Sequence, residues 1–571
     1  MGTLNRRDFM KGGAAIASGA ALFGLAGCSP STTEDESPAE QSTLPIDLQM
    51  SDVENSSVEL DPITSFEDEQ TYDIVVVGAG CAGVPAVLTA VEEGATVACL
   101  QKQGSVAANG YGSSAICLEG STSAGLKRWM EDFCETDDDR VNRGLFQHHL
   151  DHSGETLSWI IQRANEAGVE GITYSTTSTV AYDDNQVAAV FDISVGSGNT
   201  QMMTALADYA AQQGAVFYYD TPAVQLVQDE DGTVTGVIGK TGESSYIKVN
   251  ATKGVVLATG DYMNNDSLMN RYSRDVYKRY LYLQDNRTGD GQILGILAGA
   301  RIAPPCHARQ VHGVIPWFMK TPLLMLNSKG ERFINEQIKM TSWNSAATSQ
   351  YPAGEEVVLY RFFDSEYETK YAETQPIPPK DALLDPAIDE GNPTSVYDFH
   401  NAFHRADTIE ELCEQVGLPY ETVQQSIERY NELAAKGVDD DFGVEGSQLK
   451  AIESAPFYCI RDQLGLAAIN GGFTVDNNYQ AIDAEGNPIP HLWGAGVCAD
   501  NVCGGINWGM PGGFSNSHCF TSGRYTVLCA LRGEPTPSNP CTFEQVEDYY
   551  REAGTIAWED TSAALKEPDI W

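Results

Sequence analysis

Apolar positions along this chain follow two different rhythms. From residue 72 a short β-branched run, Ile74-Val75-Val76-Val77, gives way to glycines, then to a mixed apolar stretch over 82–93, then to a second apolar run at 96–100. Unbroken runs of this length predict strands buried on both faces, as in a parallel sheet, and the stretch between them a helix. From Thr408 to Ala435 the spacing changes. Ile409, Leu412 and Val416, then Val423, Ile427, Tyr430 and Leu433, recur at three- to four-residue intervals. That spacing predicts two helices that each bury one stripe, broken at Gly417 and restarted at Pro419. Residues 28–70 show neither rhythm. They are rich in Ser, Thr, Glu, Asp and Pro, too poor in large apolar groups to offset the entropy of ordering, and predict an acidic flexible tether. About 500 residues follow, more than one hydrophobic core serves, so two packed domains are expected.

The N-terminus carries a different signal. Asn5-Arg6-Arg7-Asp8-Phe9-Met10-Lys11 sets paired arginines before an apolar run, Ala14 to Ala26, too short and too rich in Gly and Ala to span a bilayer. The run ends at Leu25-Ala26-Gly27-Cys28, where small residues precede a cysteine that lipoprotein processing exposes. Residues 1–27 are expected to be a twin-arginine lipoprotein signal. Cys28 is then the lipid anchor on the outer face of the cytoplasmic membrane. This route carries proteins already folded around a cofactor, which raises the expectation of a redox enzyme.

Charge and cysteine usage narrow the classes further. The chain carries 35 Lys+Arg against 80 Asp+Glu, a formal net charge of −45, and loss of residues 1–27, three bases and one acid, takes it to −47. Such a surface repels nucleic acid, so no nucleic-acid partner is expected. The thirteen cysteines include no C-x-x-C pair, haem box or iron–sulfur run, so no metal cofactor is expected and most read as buried thiols.

Between the two strands stands Gly78-Ala79-Gly80-Cys81-Ala82-Gly83. Gly78 suits a tight turn, Gly80 close backbone approach to a pyrophosphate, and Gly83 close packing of helix on strand. The phosphates then face the N–H groups of a helix N-terminus. The second strand ends at Gln101, where such folds usually offer an acid to the ribose hydroxyls. This cradle predicts a dinucleotide without choosing between FAD and NAD.

Further segments extend the pattern: Gly254–Gly260, Thr288-Gly289-Asp290-Gly291, Gly330–Glu336, Pro456-Phe457-Tyr458, Leu492-Trp493-Gly494-Ala495-Gly496, and the helical stretch from Asp407 to Phe442. Taken in order across about residues 72–530, they resemble the FAD-dependent oxidoreductase family of fumarate reductases, urocanate-type reductases and 3-ketosteroid dehydrogenases. The resemblance implies an α/β fold: a Rossmann-like FAD-binding domain in two segments, 71–305 and 460–532, with an inserted α+β capping domain, 306–459. Residues 533–571 follow as a tail with a short helix. It implies non-covalent FAD. The contacts carried over are Gly78, Gly80, Cys81, Ala82 and Gly83 about the pyrophosphate, Gln101 and Lys102 near the ribose, Val224 at the adenine edge, and Ala258, Thr259 and Gly260 along the ADP half. Gly110, Ser113, Ser114, Asp290 and Gly496 join them, and Gly512, Gly513, Phe514 and Ser515 open a helix whose amides would face the flavin.

Departures from the family bear on substrate. Two arginines and a histidine that grip a dicarboxylate in fumarate reductases correspond to Met340, Met510 and Ala468, none of which forms a charge-assisted bond. Trp508 stands where ketosteroid dehydrogenases have a tyrosine; its indole can donate one hydrogen bond or stack on a ring but cannot act as an acid. Trp317, Phe318, Met319 and Trp343 could add an apolar wall. The expected activity is reduction of an activated C=C bond in a ring-bearing or steroid-like substrate. Tyr111, His307, Arg309, His312 and Lys339 are the candidates for proton delivery or activation, His312 first, with Trp508 as substrate contact. An external donor, a membrane cytochrome or a flavinylated protein, must supply electrons. The alternatives are a dehydrogenase or oxidase working in the oxidative direction, and a flavin-bearing lipoprotein that only binds a ligand.

Overall fold

The run Ile74–Val77 lies at the centre of a sheet and is out of contact with water. A computed structural model describes residues 44–542 and 545, apart from 111, 118–120, 137–141, 184–185, 197, 313–320, 339, 373–401, 500–501, 503–512 and 543–544. Strand Asp68–Val77 pairs in parallel with Val97–Leu100 on one side and Tyr246–Leu257 on the other. Val216–Tyr218 and Pro488–Gly494 extend the parallel order outward. An antiparallel edge is added by Val234–Lys240 and Ala223–Gln228. Burial on both faces is why these strands read as continuous apolar runs rather than alternating ones.

Helix Gly83–Glu92 returns from the first strand to the second, with every residue from Gly83 to Ala90 buried. It is covered by the long helix Phe514–Arg532, which also packs on Arg143–Glu166. The crossing is close because Gly523 carries no side chain: a β-carbon there would overlap the carbonyl oxygen of Ala82. Arg524, 2 % exposed, clamps the third helix by two bonds to Glu155, at 3.0 and 2.8 Å.

A second hydrophobic core forms around a four-stranded antiparallel sheet, Leu324–Leu326, Val358–Asp364, Phe457–Gln463 and Phe403–Ala406. Its cover is the helix pair Ile409–Val416 and Tyr420–Lys436, whose buried residues are those of the three-to-four spacing. Gly417 ends the first helix at a φ of +73°, and Pro419 caps the second. The whole is a mixed α/β fold, in line with the architecture the resemblance implies.

The N-terminal tether differs from expectation. From Leu44 onward the chain packs on the sheet domain, with Leu48, Val53 and Val58 buried. Asp52 pairs with Arg271, Asp47 with Arg301, and Glu59 with Lys240 at 2.7 Å. Three well-placed apolar residues and three ion pairs fasten a stretch whose composition reads as disordered. Residues 1–43, with the signal and Cys28, lie outside the described residues.

Candidate functional site

The carboxyl ends of Asp68–Val77, Val97–Leu100 and Tyr246–Leu257 open into a cleft of about 300 Å³. It lies where strand order runs outward both ways from the first strand, the crevice in which open α/β sheets bind ligands. Its walls bring together Gly78, Gly80, Gln101, Lys102, Ala258, Thr259 and Asp290 from the expected set. They add Asn109, Ala223 and the turn Leu283–Gly289.

Three glycines make the cleft by their lack of a side chain. Gly78 turns at a φ of +101°, and a β-carbon on it would stand 2.6 Å from the Ala258 carbonyl oxygen. One on Gly83 would overlap the Gly78 carbonyl oxygen, and one on Gly80 would lie 2.9 Å from that of Ala107. Gly80 is therefore held small by the protein's own Ala107 as well as by any ligand. The amides that follow open helix Gly83–Glu92 toward the cleft, a ready site for a phosphate anion.

The ribose end departs from its expected form. The buried Gln101 amide accepts from the Ala79 N–H at 3.1 Å and donates to the Ser105 carbonyl at 2.8 Å, so it braces the glycine loop. Lys102 is tied to Thr288 at 2.6 Å and to Asp290 at 3.2 Å. Asp290 in turn takes the Thr288 hydroxyl at 2.6 Å and the Ser57 N–H at 3.1 Å. Ala223 lines the cleft; Val224 does not, and its carbonyl takes the Glu59 N–H at 3.1 Å.

Beyond Asn109, outside the cleft lining, stand Gly110 and the strand Gly112–Cys117. Asn516, in the first turn of helix Phe514–Arg532, donates to the Gly112 carbonyl at 2.8 Å, and Gly513 rides 2.8 Å from the Ser113 backbone as a β-carbon would measure it. Ser113 and Ser114 are buried there, and the Ser113 hydroxyl has no partner among the described residues. Phe514 is buried and Ser515 half-buried. The Cys81 thiol is pushed up by burial, against the pull of the Asn109 carbonyl contact and of Arg287. Gly496, at a φ of +64°, donates its N–H to Ser522 at 2.8 Å and does not line the cleft. Gly512 lies outside the described residues.

Sequence reasoning missed Arg287. Its guanidinium donates to the Asn109 side-chain oxygen at 3.2 Å and lies over Gly260, where a β-carbon would overlap it. Nothing in Asn286-Arg287-Thr288 marks this arginine locally; only the fold carries the turn across to the glycine loop.

Of the catalytic candidates, Tyr111, Lys339 and Trp508 lie outside the described residues, as do Trp317, Phe318, Met319 and Met510. The His312 backbone pairs with Gly465 at the end of strand Ala308–His312. On the same strand Arg309 is buried and paired through Nη2 with Asp275 at 2.5 Å, while its Nη1 has no partner among the described residues. His307 is removed from candidacy. Its Nδ1 meets the Tyr262 hydroxyl at 2.6 Å and its Nε2 the Ala303 carbonyl at 2.8 Å, and burial holds it down at about 4. Ala468 faces Gln310 across the sheet and is buried. Trp343, also buried, keeps an indole N–H without a partner.

A strand-end cleft walled by side-chain-free backbone and an arginine, beside a helix N-terminus, fits a long anionic dinucleotide. The family model described as FAD binding domain matches residues 73–516. The vinyl phenol reductase of Lactiplantibacillus plantarum is 28% identical, over 80% of this chain and 95% of that protein. The NADH:fumarate oxidoreductase of Klebsiella pneumoniae is 25% identical over 77% of this chain, which spans only 45% of that protein. Among solved structures, the open conformation of a flavocytochrome c3 fumarate reductase shares the fold, with a TM-score of 0.62 and 21% identity, over 81% of this chain and 79% of that one.

Proposed function

Since the chain belongs to the FAD binding domain family, we propose that it reduces an activated C=C bond in a ring-bearing substrate that is not a dicarboxylate. Its cofactor is FAD and its reaction class that of FAD-dependent oxidoreductases acting on CH–CH groups. The observation that carries the substrate class is the loss of fixed charge at Met340, Ala468 and Met510. The vinyl phenol reductase relative supports the same class, since a vinyl phenol joins an alkene to a ring. Once bound and reduced by the external donor, the flavin would supply a hydride to the electron-poor carbon and return to its oxidised form.

The chain's own groups hold and orient. Gly78, Gly80 and Gly83 admit the pyrophosphate, and Gly513 and Asn516 set a helix N-terminus beside Ser113. His312, Tyr111 and Lys339 remain the proposed carriers of the proton to the neighbouring carbon, with Trp508 as the surface on which the ring rests. On this reading the protein is exported folded by the twin-arginine route and held by a lipid on Cys28. A membrane cytochrome or flavinylated protein then supplies its electrons.

The test is anaerobic. Protein reduced by viologen is offered fumarate, then a panel of vinyl phenols, cyclic enones and aryl acrylates, with flavin reoxidation as the readout. Reoxidation by ring compounds alone is expected. Rapid turnover of fumarate with the ring compounds inert would overturn the reading, and reoxidation by dioxygen alone would mark an oxidase.

A further inference from the structure

We infer that Arg287 is the charge anchor for the cofactor's pyrophosphate, taking on part of the cofactor's hold that such folds usually give to an acid on the ribose. The inference rests on FAD being the ligand of the cleft.

Four charged side chains line the cleft, and three are accounted for. Lys102 and Asp290 neutralise each other at 3.2 Å, and Asp285 is exposed at the rim. Arg287 has no carboxylate within ion-pair distance among the described residues. Its one side-chain bond is to Asn109, and its backbone N–H goes to Asn264 at 2.9 Å. The buried carboxylate of Asp261 feels the charge of Arg287 but stands outside ion-pair distance, and its oxygens accept from the N–H groups of Met263 at 3.0 Å and Ile469 at 3.2 Å. A half-buried guanidinium with unused donors is costly unless an anion completes it.

Position identifies which anion. Arg287 lies over the bare backbone of Gly260 and acts electrostatically on Cys81, inside the glycine loop. That loop and the amides of helix Gly83–Glu92 are where phosphates bind. At the ribose end the Gln101 amide is engaged by Ala79 and Ser105, and the position where such folds usually offer an acid to the sugar hydroxyls carries no charge. A guanidinium matches two phosphate oxygens at once, which a lysine cannot do. Cofactor binding by this chain should therefore depend on phosphate count and on salt.

The test measures ligand affinity on apoprotein stripped of FAD, with flavin fluorescence for FAD and calorimetry for ADP, AMP and adenosine. Arg287→Ala should weaken FAD and ADP by the same factor, about 10- to 100-fold. Adenosine should bind it as it binds the wild type. Arg287→Lys should recover only part, and the salt dependence of FAD affinity should flatten in Arg287→Ala. Equal melting temperatures of the apoproteins would show that the fold is intact. Arg287→Ala apoprotein melting more than about 5 °C lower would instead assign the arginine to the fold and overturn the inference. Wild-type FAD affinity in Arg287→Ala would also overturn it. So would a loss confined to FAD with ADP unaffected, accompanied by a shifted flavin midpoint potential, since that pattern puts the guanidinium against the flavin ring. Failure of wild-type apoprotein to bind FAD at all would instead refute the cofactor.

Discussion

A β-carbon on Gly83 would overlap the carbonyl oxygen of Gly78, so helix and strand meet backbone to backbone at the head of the cleft. The contact cannot relax by a rotamer change, because both partners are main chain. Gly83→Ala is expected to cost about 3 kcal/mol or more and to yield protein without yellow colour. Gly80→Val, whose added carbon meets the Ala107 carbonyl, should likewise lose FAD. Gly94 is the control: its φ is +77° but nothing lies within 4 Å, so Gly94→Ala should cost about 1 kcal/mol and keep its flavin. A Gly83→Ala protein with full FAD and normal melting would refute this account of the cradle.

The cradle was legible because its physics is local: strand, turn and helix are set within about thirty residues, and each glycine answers to a backbone contact. The helix pair after Thr408 was legible for the same reason, through the spacing of its buried residues. What was missed is long-range. Arg287 reaches Asn109 across 178 residues, and no local pattern announces that meeting. Leu48, Val53 and Val58 are too sparse to show a period, yet each finds a place in the core. Gln101 lines the cleft as expected, but its bracing of the glycine loop on either side of itself depends on Ala79 and Ser105 being folded around it.

Arg524 offers a stability test away from the cleft. It is buried over the Trp159 ring at 4.1 Å and doubly bonded to Glu155, which also receives the Tyr525 hydroxyl at 3.0 Å. Arg524→Leu leaves the half-buried Glu155 carboxylate without its guanidinium and is expected to cost about 3 kcal/mol in urea unfolding, the low end for breaking a desolvated pair. Pairing it with Glu155→Gln should recover part of that loss. A single-variant cost under about 1 kcal/mol would show that water reaches the pair.

Export gives a prediction independent of the fold. Cys28→Ala should move the protein from the membrane fraction to the soluble exported fraction, and Arg6→Lys with Arg7→Lys should keep it in the cytoplasm. Persistence of the cysteine variant on membranes would reveal another anchor; no described helix is long and apolar enough to cross one.

Acid should unfold this protein early, and the reason is a group of buried imidazoles. His148 packs edge-on against His152, Tyr479 and Tyr525, with ring centroids 4.5, 5.1 and 5.2 Å away, and neither of its nitrogens has a partner. Burial, then the charges of His152 and His518, hold it down at about 3. Burial alone holds His518 at about 4, and it dominates at His307, also at about 4. His149, against Phe514 at 4.3 Å, is likewise held well below 6.5. His148, His307 and His518 are neutral in the fold at pH 7 and remain so at pH 5. In the unfolded chain they protonate below about 6.5, so the unfolded state binds more protons and stability falls as pH drops from about 6.5 toward 4. Each such histidine contributes a slope of about 1.4 kcal/mol per pH unit, and His148, His307 and His518 together about 4. Asp439, held at about 2 against the cost of burial by Arg332 and backbone N–H groups, adds to the loss at lower pH. Glu336, raised by burial, opposes it. Urea midpoints measured at pH 7, 6 and 5 should therefore drop steeply, and His148→Phe and His518→Phe should each flatten the slope by about one proton. Midpoints that stay level across that range, or slopes unchanged in both variants, would mean that the imidazoles are hydrated and titrate normally.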